Sequence, residues 1–132
     1  MNGSPDCPDP PSTRSPGGPL AGVLVVDLSR ALAGPQAAMM LGDLGARVIK
    51  VESPDGDDSR GWGPPFMHPP GADRESTYFL AANRNKESIV LDLKGDEDPA
   101  VLRALLARAD VLIENFRPGV LARLGFGTDV LA

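Results

Sequence analysis

Two short β-branched runs with a helix-spaced segment between them set the pattern of this chain. Residues 23–52 read VLVVDLSRALAGPQAAMMLGDLGARVIKVE. The runs at 23–26 and 48–51 are bounded by turn-compatible residues and predict buried strands ending on Asp27 and Glu52. Between them, Gly34 suits a helix N-cap and Pro35 the first helical position. Ala37, Met40, Leu41 and Leu44 recur at helical spacing, which predicts the stripe facing the sheet. Gly45 then ends the helix. The unit is βαβ, with a right-handed crossover as its default geometry.

After Glu52 the periodicity stops. Four prolines and four glycines fall between Gly56 and Gly71, so no long element is expected there. A loop of that length points to mobility or to work at a site. Its large apolar groups, Trp62 and Phe66, either pin the loop to the body or cover a ligand. Residues 77–83, TYFLAAN, fit a short helix or a packed loop, and 88–93 fit a strand. A helix follows, with Asp98 as N-cap, Pro99 at its start and Val101, Leu102, Leu105, Leu106 and Ala109 on its apolar face. Residues 111–113 read as another short strand and 120–124 as a short helix. The order is β-α-β, a long excursion, then β-α-β, and the fold class is α/β with a Rossmann-like parallel-sheet layer.

Composition separates the two ends of the chain. Residues 1–19, MNGSPDCPDPPSTRSPGGP, have almost no apolar side chains and read as a disordered leader, leaving 20–132 as the folded portion. No stretch has the apolar core of a signal peptide or the roughly 18 apolar residues of a membrane span. A cytoplasmic protein is expected. Cys7 and His68 are the only cysteine and histidine, which excludes a disulfide framework and a multi-histidine metal centre within the chain. The net charge of −5 argues against general nucleic-acid affinity, though not against a local phosphate pocket. An all-parallel sheet needs both faces covered, and few helices are visible, so the chain reads as the beginning of a larger fold.

The ligand crevice of an open α/β sheet lies beyond the carboxyl ends of its strands. That rule selects residues 27–35, the loop after Glu52, and 114–119. Ala33-Gly34-Pro35 offers free backbone N–H groups to a phosphate, or is ordinary capping. Arg84, Lys86, Arg117 and Arg123 are phosphate-pairing or surface cations. Asn115 and Phe116 can bond and stack a ligand, or serve as a turn amide beside a core aromatic. Asp27 has no assignable basic partner, His68 no paired acid, and Ser29 no nucleophile-elbow context.

Several of these segments together carry a resemblance. Residues 25–29 (VVDLS), 33–35 (AGP), 44–52 (LGARVIKVE), Gly56-Asp57 with Arg60-Gly61-Trp62, 83–86 (NRNK), 91–94 (LDLK) and 109–119 (ADVLIENFRPG) occur in the order and spacing of family III CoA-transferases. The chain resembles the N-terminal part of that family, which includes formyl-CoA transferase, carnitine CoA-transferase and α-methylacyl-CoA racemase. The resemblance implies an incomplete N-terminal fragment of a larger interlocked-dimer fold, with a full chain about three times this length. It implies CoA-binding roles for Arg30, Ala31, Leu32, Ala33, Ser53, Asn83, Lys86, Asn115, Phe116 and Arg123.

The implied activity is transfer of CoA between an acyl-CoA and a carboxylic acid through an aspartyl nucleophile that lies beyond the last residue here. By that reading this chain alone is inactive and holds no catalytic residue. It uses no tightly bound cofactor, with CoA or acyl-CoA as substrate. The partners implied are acyl-CoA, a carboxylic acid, and a homodimer mate or a complementary C-terminal chain, with no nucleic acid and no membrane. Leu32 and Ser53 depart from formyl-CoA transferase, which has glutamine and arginine there, and this disfavours the formyl/oxalate substrate pair. A racemase-like fragment, a non-catalytic CoA-binding module and a remnant are the alternatives.

Overall fold

A computed structural model describes residues 17–131. Residues 1–16 of the expected leader, including Cys7, and residue 132 lie outside them. Strands β1 (Leu24–Asp27), β2 (Arg47–Glu52), β5 (Lys86–Val90) and β6 (Val111–Ile113) form one parallel sheet in the order β5-β2-β1-β6. Val25 pairs with Val48 on one side and Val111 on the other, while Val48 pairs with Lys86. The strand order therefore reverses between β1 and β6, which is where such sheets open a crevice.

Helix α1 (Ala33–Asp43) links β1 to β2, and α3 (Asp98–Leu106) links β5 to β6. Alternation along the strands divides the core between them. Val25, Ala38, Ala46 and Val48 pack together on the α1 face, with Leu41 against them. Val26, Leu28, Val51, Leu91, Leu102 and Phe126 pack on the other, joined by Leu105, Leu106 and Ala109 from α3 and its end. The chain finishes with α4 (Val120–Arg123) and α5 (Thr128–Leu131).

The excursion holds a 3-10 turn, Asp58–Gly61, a two-residue antiparallel pair, β3 (Phe66–Met67) with β4 (Glu75–Ser76), and helix α2 (Thr77–Asn83). Phe66 is half-buried with the Arg74 guanidinium 4.4 Å from its ring centre, whereas Trp62 is exposed and meets Tyr78 edge-on at 6.4 Å.

Four sequence expectations need correction. Helix α1 starts with Leu32 as N-cap, so Gly34 and Pro35 lie inside its first turn. Its buried residues are Pro35, Ala38, Met39 and Gly42, while Ala37, Met40 and Leu44 are exposed. The helix lies so close to the sheet that a Cβ on Gly42 would come within 3.3 Å of Val48 Cγ2 and of the Asn85 carbonyl. Small side chains make the contact, and counting large apolar ones selects the wrong stripe. Asp98 is helical rather than the cap of α3, and its carboxylate accepts the Asp92 N–H at 2.6 Å. Strand β5 covers 86–90 rather than 88–93, because Lys86 already pairs with Val48 and β2 ends at Glu52, the partner of Val90. Among the described residues no helix is long and apolar enough to cross a membrane.

Candidate functional site

On the α1 face, the strands change from apolar to charged as they reach their carboxyl ends. Asp27 follows Val25 on that face, and Lys50 and Glu52 follow Val48. All three are buried. An ion in such a place is costly unless paired and hydrogen-bonded, and each of these finds an opposite charge.

Lys86 extends beneath α1 and donates to Asp27 Oδ2, to the Pro35 carbonyl and to Asn83 Oδ1, each at 2.8 Å, so all three ammonium protons are engaged. Burial pushes its pKa down, and Asp27 offsets part of that shift. Asp27 Oδ1 accepts the Ser29 N–H at 2.9 Å and, closely, the Ser29 hydroxyl. Asp27 is fully enclosed, and its two oxygens are committed to structure.

Lys50 forms the second pair. Its ammonium lies 2.9 Å from Asp57 Oδ2 and donates to the Ser29 carbonyl at 2.9 Å. Asp57 Oδ2 has no well-angled hydrogen bond, so the charge of Lys50 is its compensation. Asp57 Oδ1 caps the 3-10 turn through Ser59 N–H (2.9 Å) and hydroxyl (2.7 Å). Burial raises the Asp57 carboxyl, but Lys50 and Ser59 outweigh it and hold the group below the ordinary carboxylate range.

Glu52 completes the set. Arg60 grips it with two parallel bonds of 2.7 Å, and Ser88 and the Asp57 N–H add bonds of 2.8 and 3.1 Å. These overcome the upward push of burial and leave its pKa lowered. The same guanidinium lies 3.7 Å from the Phe79 ring centre, tying α2 to the cluster.

Above this foundation runs the segment from Ser29 to the start of α1. The Asn115 side chain accepts the Arg30 N–H at 3.0 Å and donates to the Arg30 carbonyl at 2.8 Å, bridging β6 to β1 across the strand-order reversal. Ala31 has a left-handed φ of 71° and donates its N–H to Asp57 Oδ1 at 3.3 Å. No side chain caps α1, and the N–H groups of Ala33 and Gly34 meet no acceptor among the described residues. Gly34 packs directly on Ser29: a Cβ there would lie 2.4 Å from Ser29 Cβ.

The structure thus joins Arg30 to Asn115 beyond the carboxyl ends of β1 and β6, with Ala31, Leu32 and Ala33 following Arg30 into α1. Phe116 is half-buried against the Val26 and Leu28 cluster. Asn83 and Lys86 lie beneath α1, and Ser53 follows β2 with its hydroxyl 3.4 Å from the Gly56 carbonyl. Arg123 is exposed on α4, with no carboxylate partner among the described residues. His68 is exposed between β3 and β4. Sequence reasoning on individual residues passed over Lys50, Glu52, Asp57 and Arg60. The alternation within RVIKVE, which sets Lys50 and Glu52 on one face, was the available signal.

A cavity of about 670 Å³ opens at the opposite, amino end of the sheet, beside Leu24, Arg47, Lys86 and Asp110. Its charged rim is largely self-paired, with Arg47 bonded to Glu87 at 2.8 and 2.9 Å and Asp110 to the Leu24 N–H at 2.8 Å. It is therefore a weaker candidate than the carboxyl end of the sheet, where the strand order reverses between β1 and β6. Among the described residues, no group of three or more His, Cys, Asp or Glu side chains could hold a metal ion.

The sequence profile of CoA-transferase family III matches residues 20–132. The chain is 53% identical over 110 residues to a succinyl-CoA:glutarate CoA-transferase of Mus musculus, covering 83% of this chain and 24% of that protein. It is 50% identical over 118 residues to an acetyl-CoA:oxalate CoA-transferase of Acetobacter aceti, covering 89% and 29%. A crystal structure of a CAIB/BAIF family protein from Brucella suis superposes with a TM-score of 0.82 at 51% identity, covering 86% of this chain and 30% of that one. The chain spans about a quarter of the length of the curated relatives it matches.

Proposed function

The chain belongs to CoA-transferase family III, and from that premise we propose that it contributes part of the CoA-binding wall of an enzyme moving CoA between an acyl-CoA and a carboxylic acid. The observation that carries this reading is the pair of bonds by which Asn115 holds both backbone groups of Arg30 beside an uncapped helix start, at the strand-order reversal between β1 and β6. Arg30, Ala31, Leu32, Ala33, Asn115 and Phe116 border the CoA path, and Arg123 supplies a cation for its phosphates. Ser53 lies at the β2 exit, while Asn83 and Lys86 support α1 from beneath.

The covalent steps belong to the rest of the protein. An aspartate carboxylate adds to the thioester carbonyl carbon and expels the CoA thiolate, leaving an acyl-aspartyl anhydride. The thiolate returns to the aspartyl carbonyl and releases the donor carboxylate. An acceptor carboxylate then runs the sequence in reverse, leaves as its CoA thioester and restores the aspartate. In an interlocked dimer or a two-chain enzyme, this wall holds the CoA while those exchanges occur.

The test is intact mass of the native protein with any copurifying chain, followed by calorimetric titration of the same sample with CoA. Saturable one-to-one binding, with acyl transfer once a chain carrying the aspartate is present, is the expected result. A folded sample that leaves CoA unbound would sink the proposal.

A further inference from the structure

We propose that the buried Lys50–Asp57 pair is a positioning device for the backbone at residues 29–31 that leads into the CoA-bordering segment; the proposal rests on the CoA-transferase reading above and deepens it. Neither residue belongs to the segment they hold. Lys50 lies on β2 and Asp57 in the loop that follows, yet together they grip two backbone atoms of the β1–α1 connection: Lys50 Nζ binds the Ser29 carbonyl at 2.9 Å and Asp57 Oδ1 binds the Ala31 N–H at 3.3 Å. Asn115 holds Arg30 between them from the other side.

Three observations turn this contact into a function. Ala31 has φ 71°, a left-handed conformation that alanine avoids and that persists only where the surroundings over-determine it. Held backbone strain of this kind concentrates at ligand sites. The pair is also a poor device for stability alone: the side chains are 2% and 0% exposed, and apolar residues of similar volume often do as well in such places. What apolar residues could not do is hold a carbonyl and an amide of another segment at once. Finally, the segment leads directly into the uncapped first turn of α1, so a shift at Ala31 moves the free N–H groups of Ala33 and Gly34.

The test compares the native protein, with any chain that copurifies, against Asp57→Asn, Lys50→Met and the double variant. Each single change leaves one buried charge unmatched and lowers Tm. The double change removes both charges together, so Tm recovers, but the bond to the Ser29 carbonyl stays lost. The expected result for the double variant is near-native Tm with CoA affinity about tenfold weaker and Ala31 amide exchange about tenfold faster, the scale of one charge-assisted hydrogen bond. A double variant that regains native CoA affinity and Ala31 protection would overturn the proposal and leave the pair as scaffold. If the native protein binds no CoA, the CoA-transferase reading fails by itself. Ala31 exchange then still decides whether the pair fixes the loop, and native-like protection in the double variant overturns it.

Discussion

Replacing Gly34 by alanine tests why the helix start is built as it is. If the glycine served only as a tolerant residue in a helix, alanine would stabilise the protein by about 1 kcal/mol through its higher helix propensity. The packing gives the opposite sign. The added Cβ would sit 2.4 Å from Ser29 Cβ and 2.5 Å from its hydroxyl oxygen. Ser29 cannot yield easily, because its hydroxyl and N–H bind Asp27 and its carbonyl binds Lys50. Helix α1 must therefore retreat by about 1 Å to restore ordinary contact, and overpacking of this kind costs about 1–3 kcal/mol. With the site pinned on three sides the upper end applies, so the net loss is roughly 2 kcal/mol after the propensity gain. For a domain of this size that is a Tm decrease of roughly 8 °C. Thermal and urea melts followed by circular dichroism measure it, and the double variant Ser29→Gly/Gly34→Ala should recover most of the loss. A Gly34→Ala protein as stable as the native one, or more so, would refute the close-packing account.

Two further outcomes follow from the buried network. Glu52 and Asp57 are held below their ordinary carboxylate values, so the unfolded chain binds their protons first. Their stabilisation is complete above the unfolded values near about pH 4 and is lost as pH falls through the lower folded ones. Urea midpoints should therefore drop with acid, and Glu52→Gln should both lower stability and flatten that slope; an unchanged slope would show that Glu52 is not among the titrating groups. Ser76 donates to the Trp62 carbonyl at 2.6 Å and caps α2 by accepting the Phe79 N–H at 3.3 Å. Ser76→Ala should cost about 1–2 kcal/mol and alter Trp62 fluorescence, whereas native stability would mean that neither bond matters.

Much of the architecture was legible along the chain. Strands β1, β2 and β6, helices α1 and α3, and the irregular stretch after β2 followed from local signals: β-branched runs, helical spacing, Gly45 as a stop, and clustered proline and glycine; at 77–83 the structure decided for a helix over a packed loop. The rule that ligands meet strand carboxyl ends also selected the segments around Arg30 and Asn115. The strands and helices depend on neighbours in sequence, so the sequence alone determined them.

What it left open depended on distance in three dimensions. The buried face of α1 was decided by how near the helix comes to Val48 and Asn85, a spacing that favours Ala38 and Gly42 over Met40 and Leu44. The partners of Asp27, Lys50 and Glu52 come from residues 59, 7 and 8 positions away, through the register of parallel strands and the return of the following loop. Gly34 looked like a helix cap and proved to be the close contact of a helix on Ser29. Hydrophobic periodicity records which positions leave water, but not which buried charges face each other. Only the tertiary structure, by superposing strand ends beneath α1, converted scattered acidic and basic residues into one neutral foundation for the β1–α1 connection.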